Sequence, residues 1–513
     1  MPLAWLAAVA VIASVDGLAA QQGYEVDDER NQMIVNRAQH WQLWNFPHGT
    51  IEVTEQGVRP RFWRKQVNAS GEILEHLRLH PPAAAVGKLS EEITLHDAVQ
   101  GRSNEGDVVN ILDGDMTTYW EPAPPVGIAD LELQWRFTVD MGRLVIADKI
   151  VLRFVDEELG DPFLLFDVYV SDGQKPPSNI AGEEADFTRV FRTVQPMKSQ
   201  RVVEIDLADL TTTAPRKRLV RFVQVVITGS NLARGHEVER AEYERLRAEA
   251  PADTGMVEYN KRLITGGLLP VSASDWERLE AERRGPVRHF RRERPRLAEL
   301  EVWSEGDNLF SDIVRRGGAV LDSREIYQLD NIAGPDLTSR VGFTLDPFTR
   351  GQGGRFDHSV LDLGAQFWID GYRHVLTPAN AHASTFGQWA LDFSDGSLEA
   401  DGTLAWDRKF SVEAEPLDVR ILLMEKIDFE PIMARFMRIQ YFAHPDYLFL
   451  NANVASLQLI GRGYQPSVSL VSEPIGFEDD GNRNLVSIEW EADTPPGTSV
   501  SLQTRTGTGL DTE

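Results

Sequence analysis

The sequence predicts an all-β chain of β-sandwich or barrel modules, with one module present in two copies. Short runs rich in Val, Ile, Phe, Tyr and Trp alternate with clusters of Gly, Pro, Asp and Asn, and few stretches carry the helical period. The 513 residues, 42% of them hydrophobic, supply enough apolar material for several cores. Collinear segments recur at a nearly constant spacing of about 220 residues.

The first twenty residues, MPLAWLAAVAVIASVDGLAA, hold an apolar stretch from Leu3 to Val15 that ends in small residues. This predicts a secretory signal peptide over 1–20, cleaved near Ala19 or Ala20, and an extracytoplasmic location at the cell surface, in the periplasm or outside the cell. No Lys or Arg precedes the run, which leaves an uncleaved anchor or an upstream start as alternatives. After signal cleavage no membrane span is expected. The chain has no Cys, which excludes thiol catalysis, Cys-ligated zinc and iron-sulfur clusters, and which suits a bacterial origin. A formal charge of −27 argues against nucleic acid and anionic membranes as general partners, since both are recognised through dense positive charge.

Residues 21–90 form a β-rich extension, with strands joined at Glu55-Gln56-Gly57 and a break at Pro81-Pro82; it is either a small extra sheet or the outer strands of the adjoining module. Two modules come next, over 91–305 and 306–465. The segment Asn110 to Thr118 lines up with Asn331 to Ser339, Asp140 with Asp362, Ser171 with Ser394, and Arg221-Phe222 with Arg435-Phe436. LAELEVW matches VASLQLI at the close of each copy. The first copy carries an insertion, about 234–292, with the clearest helical material of the chain and Ser274 and Glu277 spaced as a capping box. Its end holds seven Arg within residues 283–296, either a grip on an anionic polymer or, more commonly for such runs, a partner for the protein's own acidic surface. Residues 466–513 look like the opening strands of a third, fibronectin- or Ig-like sandwich, or an appendage.

The first copy resembles the discoidin domains, also called coagulation factor C-type domains, which overlap with galactose-binding-like carbohydrate-binding modules. The residues that carry this are Asp113-Gly114-Asp115 with Thr118 and Trp120, Val139-Asp140-Met141-Gly142, Ser171-Asp172-Gly173, Phe222-Val-Gln-Val and Ala298-Glu299-Leu-Glu301-Val-Trp303. The resemblance covers roughly residues 90 to 465 and implies a jelly-roll β-sandwich in each copy. It also implies a structural Ca2+ in the first copy, with Asn110, Asp113, Asp115, Thr118 and Glu299 as candidate ligands. An Asp-Gly turn that satisfies its own backbone is the alternative. Trp120 is expected in the core. In the second copy Gly334, Val341 and Ser456 replace Asp113, Trp120 and Glu299, leaving Asp336, Thr338 and Ser339, so no calcium site is expected there.

The chain contains no Gly-x-Ser-x-Gly, P-loop, His-Glu-x-x-His or dinucleotide fingerprint, and it is not expected to be an enzyme. His76 and His80 have a helical metal spacing but no third ligand nearby. A sugar-binding face needs an aromatic ring and a few planar polar groups, for which Arg350, Arg355, His358, His374 and Trp389 are candidates in the second copy and Asp156, Glu157 and Asp161 in the first. The expected function is non-catalytic binding of carbohydrate or another extracellular polymer. The alternatives are a structural subunit of an adhesin, sheath or surface assembly, with protein neighbours as partners, and an accessory region of a longer polysaccharide-active enzyme.

Overall fold

The computed structural model describes residues 23–505 apart from 28–31, 83–84, 86, 125–130, 175–184, 211–214, 335–336, 338–340, 346–355, 377–387, 413–423, 443–449 and 474–484. The leader lies outside the described residues. Among those described, no helix is long and apolar enough to cross a membrane. The chain forms two units, residues 1–61 with 467–513, and residues 62–466.

In the first unit β1 (Glu25–Asp27) pairs with β2 (Gln32–Ile34), a helix covers Ala38–Gln42, and β3 (Ile51–Thr54) returns as β4 (Gly57–Pro60). The hairpin turn falls at Glu55-Gln56, as the sequence predicts. The strands expected after Pro466 are not formed among the described residues. Val471 makes one isolated bridge to Asn45, while Leu485, Val486, Ile488, Trp490, Val500 and Leu502 are exposed and join no ladder. A strand gains its stability from a paired neighbour and a covered face, and these runs have neither.

The second unit holds both repeated modules, and both are sandwiches. After β5 (Phe62–Trp63), the first contains β6 (Val67–Asn68), β7 (Val99–Gly101), β8 (Arg136–Phe154), β9 (Leu165–Ser171), β10 (Thr188–Arg192), β11 (Val202–Asp206) and β12 (Leu219–Gly229). After the insertion, which holds β13 to β16, it is completed by β17 (Leu297–Ser304). Strand β8, 19 residues long, serves both layers. Its first half pairs with β7 and β12, and β12 continues to β9 and β10; its second half pairs with β11 and β17, and β17 with β6. The alternating inward residues of both layers, including Val139, Ile150, Leu152, Val203, Ile205, Leu300 and Val302, close around Trp120, Phe137, Phe154, Phe163 and Phe166. Trp120 is fully buried, as expected, with its indole N–H donating to the Ser103 carbonyl at 2.9 Å.

Strand β8 changes layers at Gly142, whose φ of +70° favours glycine and whose missing side chain admits His76 and Leu77 from the helix Ile73–Leu79. That helix and β6, read with the N-terminal extension, are thus outer elements of the module.

The insertion contains β13 (Glu237–Val238), β14 (Thr254–Arg262), β15 (Leu268–Val271) and β16 (Arg284–Arg291). It carries the expected helices, Arg240–Glu249 and Ala273–Arg278, but also a four-stranded antiparallel sheet in the order β13-β16-β14-β15. The capping residue is Ser272 rather than Ser274: its hydroxyl accepts from the Asp275 N–H at 3.1 Å. Five of its seven arginines meet groups of the protein itself. Arg291 makes a bidentate pair with buried Asp161, Arg296 pairs with Glu121 at 2.7 Å, and Arg288 and Arg294 lie near Glu237 and Asp253. Arg284 lies over the Trp276 ring and donates to the carbonyls of Glu277 and Leu279.

The second module contains β18 (Ala319–Asp322), β19 (Val341–Leu345), β20 (Phe356–Leu376), β21 (Gln388–Ser394), β22 (Asp407–Val412), β23 (Met424–Phe442), β24 (Leu450–Gly461) and β25 (Gly463–Tyr464), the last paired with β5. Strand β20 takes the role of β8 and turns at Gly364, φ +79°. Where the first module has separate β11 and β12, the second has the single long β23, which pairs with both halves of β20. A small apolar seam joins the modules through Leu144, Ile146 and Leu219 of one and Leu337, Val375, Met424 and Ala455 of the other.

Candidate functional site

The Asp-Gly-Asp loop is brought to β17 by a bridge in which Trp120 and Leu297 exchange both backbone hydrogen bonds. Asp113 accepts from the Asp115 N–H at 2.8 Å and from the Thr118 hydroxyl at 2.8 Å; Asp115 accepts from the N–H and hydroxyl of Thr117. The Asn110 amide donates to the Tyr119 carbonyl at 3.1 Å, leaving its oxygen as an acceptor. These bonds fix the turn. Glu299 is different: it is 7% exposed, and its Oε1 has no hydrogen-bond partner. Burial pushes its carboxyl up to about 7, the Asp113 charge adds to the shift, and the Gly114 N–H opposes it.

A buried carboxylate with an unpartnered oxygen beside a second carboxylate is costly alone and is relieved by a hard cation. Asp113 and Glu299 are therefore the fitting donors, with the Asn110 side-chain oxygen in reserve. Asp113 also holds the loop but is the carboxylate beside Glu299, whereas Asp115 and Thr118 bond only within the loop. Among the described residues no group of three or more His, Cys, Asp and Glu side chains gathers around a common point, so acidic and imidazole side chains alone do not complete such a site. In the second module Ser456 stands at the Glu299 position, and Asp336, Thr338 and Ser339 lie outside the described residues.

The sugar-face candidates do not converge. Arg350 and Arg355 lie outside the described residues. His374 and Trp389 are corrected to core positions: His374 is 0% and Trp389 2% exposed, and their rings pack 5.3 Å apart with Tyr372 against both. Alternation along β20 and β21 turns both side chains inward. Burial lowers the His374 imidazole to about 3, so it is neutral. His358 is half-buried and its Nε2 lies 2.9 Å from Asp322. Asp161 is consumed by Arg291 and Glu157 meets His236 at 3.1 Å, while Asp156 is exposed and only its backbone carbonyl accepts N–H groups of its own turn. His76, half-buried, is lowered by burial and by Arg143, and no metal ligand joins it among the described residues.

Sequence reasoning missed a cleft of about 170 Å³ on the outer face of the β11-β8-β17 layer, lined by Gln66, Asp148, Lys149, Glu204, Asp206, Ala208, Trp303 and Ser304. Register builds it, because Lys149 lies opposite Asp206 on one side and Trp303 on the other. The Trp303 indole N–H donates to Glu301 at 2.6 Å, and Glu301 also accepts from Arg153, which fixes the ring edge. Glu299, Glu301 and Trp303 alternate along β17 and share this face, so the cleft and the cation cradle stand on one strand. The alternation in LAELEVWS was the available signal.

No protein-family profile and no curated protein sequence matches the chain. Among solved structures, it is similar to a family 32 carbohydrate-binding module from Streptococcus pneumoniae EndoD (10% identity, 28% of this chain and 97% of that one, TM-score 0.21). It is also similar to the CBM32 of AlyQ in complex with 4,5-unsaturated mannuronic acid (14% identity, 28% and 93%, TM-score 0.20). A third is allantoicase (10% identity, 78% and 94%, TM-score 0.23). Identities and scores this low transfer no ligand or activity to this chain.

Proposed function

We propose that the chain is a non-catalytic, extracytoplasmic binding protein whose first module grips a carbohydrate polymer in the Trp303 cleft and is braced by Ca2+ between Asp113 and Glu299. The supporting observation is the cleft itself: an immobilised indole offers an apolar face to a pyranose ring, and Gln66, Glu204 and Asp206 offer planar polar groups to its hydroxyls. The brace is supported by the unpartnered Glu299 oxygen.

Retention of the intact chain on immobilised polysaccharides, in calcium and at moderate salt, tests the reading. Retention that Trp303→Ala abolishes supports it; retention unchanged in Trp303→Ala marks attachment outside the cleft and counts against it. A subunit of a surface assembly is a second reading, favoured by the β14–β15 hairpin, whose tip leaves Ile264 97% exposed beside Leu268 and Leu269. Concentration-dependent oligomers that dissociate in Ile264→Ser would support it.

A further inference from the structure

The charge lining the Trp303 cleft narrows the ligand class. Asp148, Glu204 and Asp206 contribute three carboxylates, and Lys149 contributes one ammonium. Asp148 is already met by the buried Arg218, and Lys149 lies 3.5 Å from Glu204, so the cleft retains net negative charge from Asp206. The placement of Lys149 is informative: its Nζ stands 5.8 Å from the centroid of the Trp303 ring. In the free protein an ammonium therefore sits near an indole face and beside a carboxylate, the two surroundings that favour a cation. Lys149 reaches this place on a flexible stem and its side chain is 37% exposed, so it can withdraw into water.

Resting on the carbohydrate reading above, we infer that the cleft takes one residue of an amino sugar in its ammonium form. The pyranose ring lies against Trp303, and the sugar ammonium takes the place that Lys149 Nζ fills in the free protein, facing Glu204 and Asp206. A uronic acid would set its carboxylate against these same groups and is rejected by like charge. Lys149 acts as a stand-in for the ligand, which gives the proposal its sharpest consequence: removing Lys149 favours binding.

Titration calorimetry of the full chain, in mildly acidic low-salt buffer, tests this with hexamers of glucosamine, N-acetylglucosamine, glucose and mannuronic acid. The glucosamine hexamer is expected to bind at least about tenfold more tightly than the others. Trp303→Ala abolishes that binding, Lys149→Ala strengthens it several-fold, and Glu204→Gln with Asp206→Asn removes the preference for the free amine. Equal binding of the acetylated hexamer, or mannuronate binding that Lys149→Ala weakens, overturns this inference and leaves the carbohydrate reading standing. Absence of any Trp303-dependent binding overturns both.

Discussion

Asp140 and Arg221 form a half-buried ion pair at 2.6 Å across β8 and β12, and Asp362 and Arg435 repeat it across β20 and β23. In both modules the same aspartate oxygen accepts the N–H of the glycine two residues on, where the long strand changes layers. In both, the guanidinium also lies over the following phenylalanine, Phe222 or Phe436. One carboxylate thus sets the bend and anchors the neighbouring strand.

The two pairs differ in solvent access. The side chains of Asp140 and Arg221 are each 12% exposed, whereas Arg435 is 46% exposed. Asp140→Ala should cost roughly 2–3 kcal/mol, because it strands a poorly solvated guanidinium, and Asp362→Ala about half of that. Urea denaturation of the two variants measures the order; a larger loss from Asp362→Ala would refute it.

Glu299 predicts a pH dependence with a definite sign. Its folded carboxyl, at about 7, lies above the ordinary glutamate value, so folding takes up a proton between about pH 4.5 and 7. The favourable contribution is complete below that window and is lost as pH rises through it, by roughly 3 kcal/mol in total. In chelator, melting curves of wild type and Glu299→Gln should therefore converge at acid pH and separate above neutrality, the variant being the more stable.

Calcium should reverse that penalty. At a hundredfold excess over its dissociation constant the ion would add about 2.7 kcal/mol, seen as a higher melting temperature. Asp113→Asn and Glu299→Gln abolish the shift, and lowering the pH below about 7 weakens it because Glu299 takes up a proton. A shift that survives Glu299→Gln would place the ion elsewhere.

Trp389 should behave as a core residue. Trp389→Ala is expected to cost about 3–5 kcal/mol through the cavity it leaves, with no change in ligand affinity under conditions where the variant is folded. Calorimetry on the folded variant checks this.

These roles explain how far the fold and the site were legible in the sequence. The repeat could be read because Asp140, Gly142, Ser171, Arg221 and their counterparts occupy positions where a turn or an ion pair demands one residue type. The insertion's sheet was not legible, since β16 reads RGPVRHFR, with Arg288 and Arg291 facing distant acids and Arg284 lying over Trp276 in place of an apolar alternation. His374 and Trp389 looked polar or ring-like enough for a binding face, but the strand phase that buries them needs the neighbouring sheet. The cleft escaped for a related reason: Trp303 stands out on β17, whereas its neighbours Lys149 and Asp206 are set by cross-strand register alone.

The most direct test of the central claim is a glycan microarray probed in calcium with the intact chain and with Trp303→Ala, each first shown by melting to be folded. Strong wild-type signals that fall at least about tenfold in the variant are expected. Equal signals from both proteins, or none from the wild type, would contradict it.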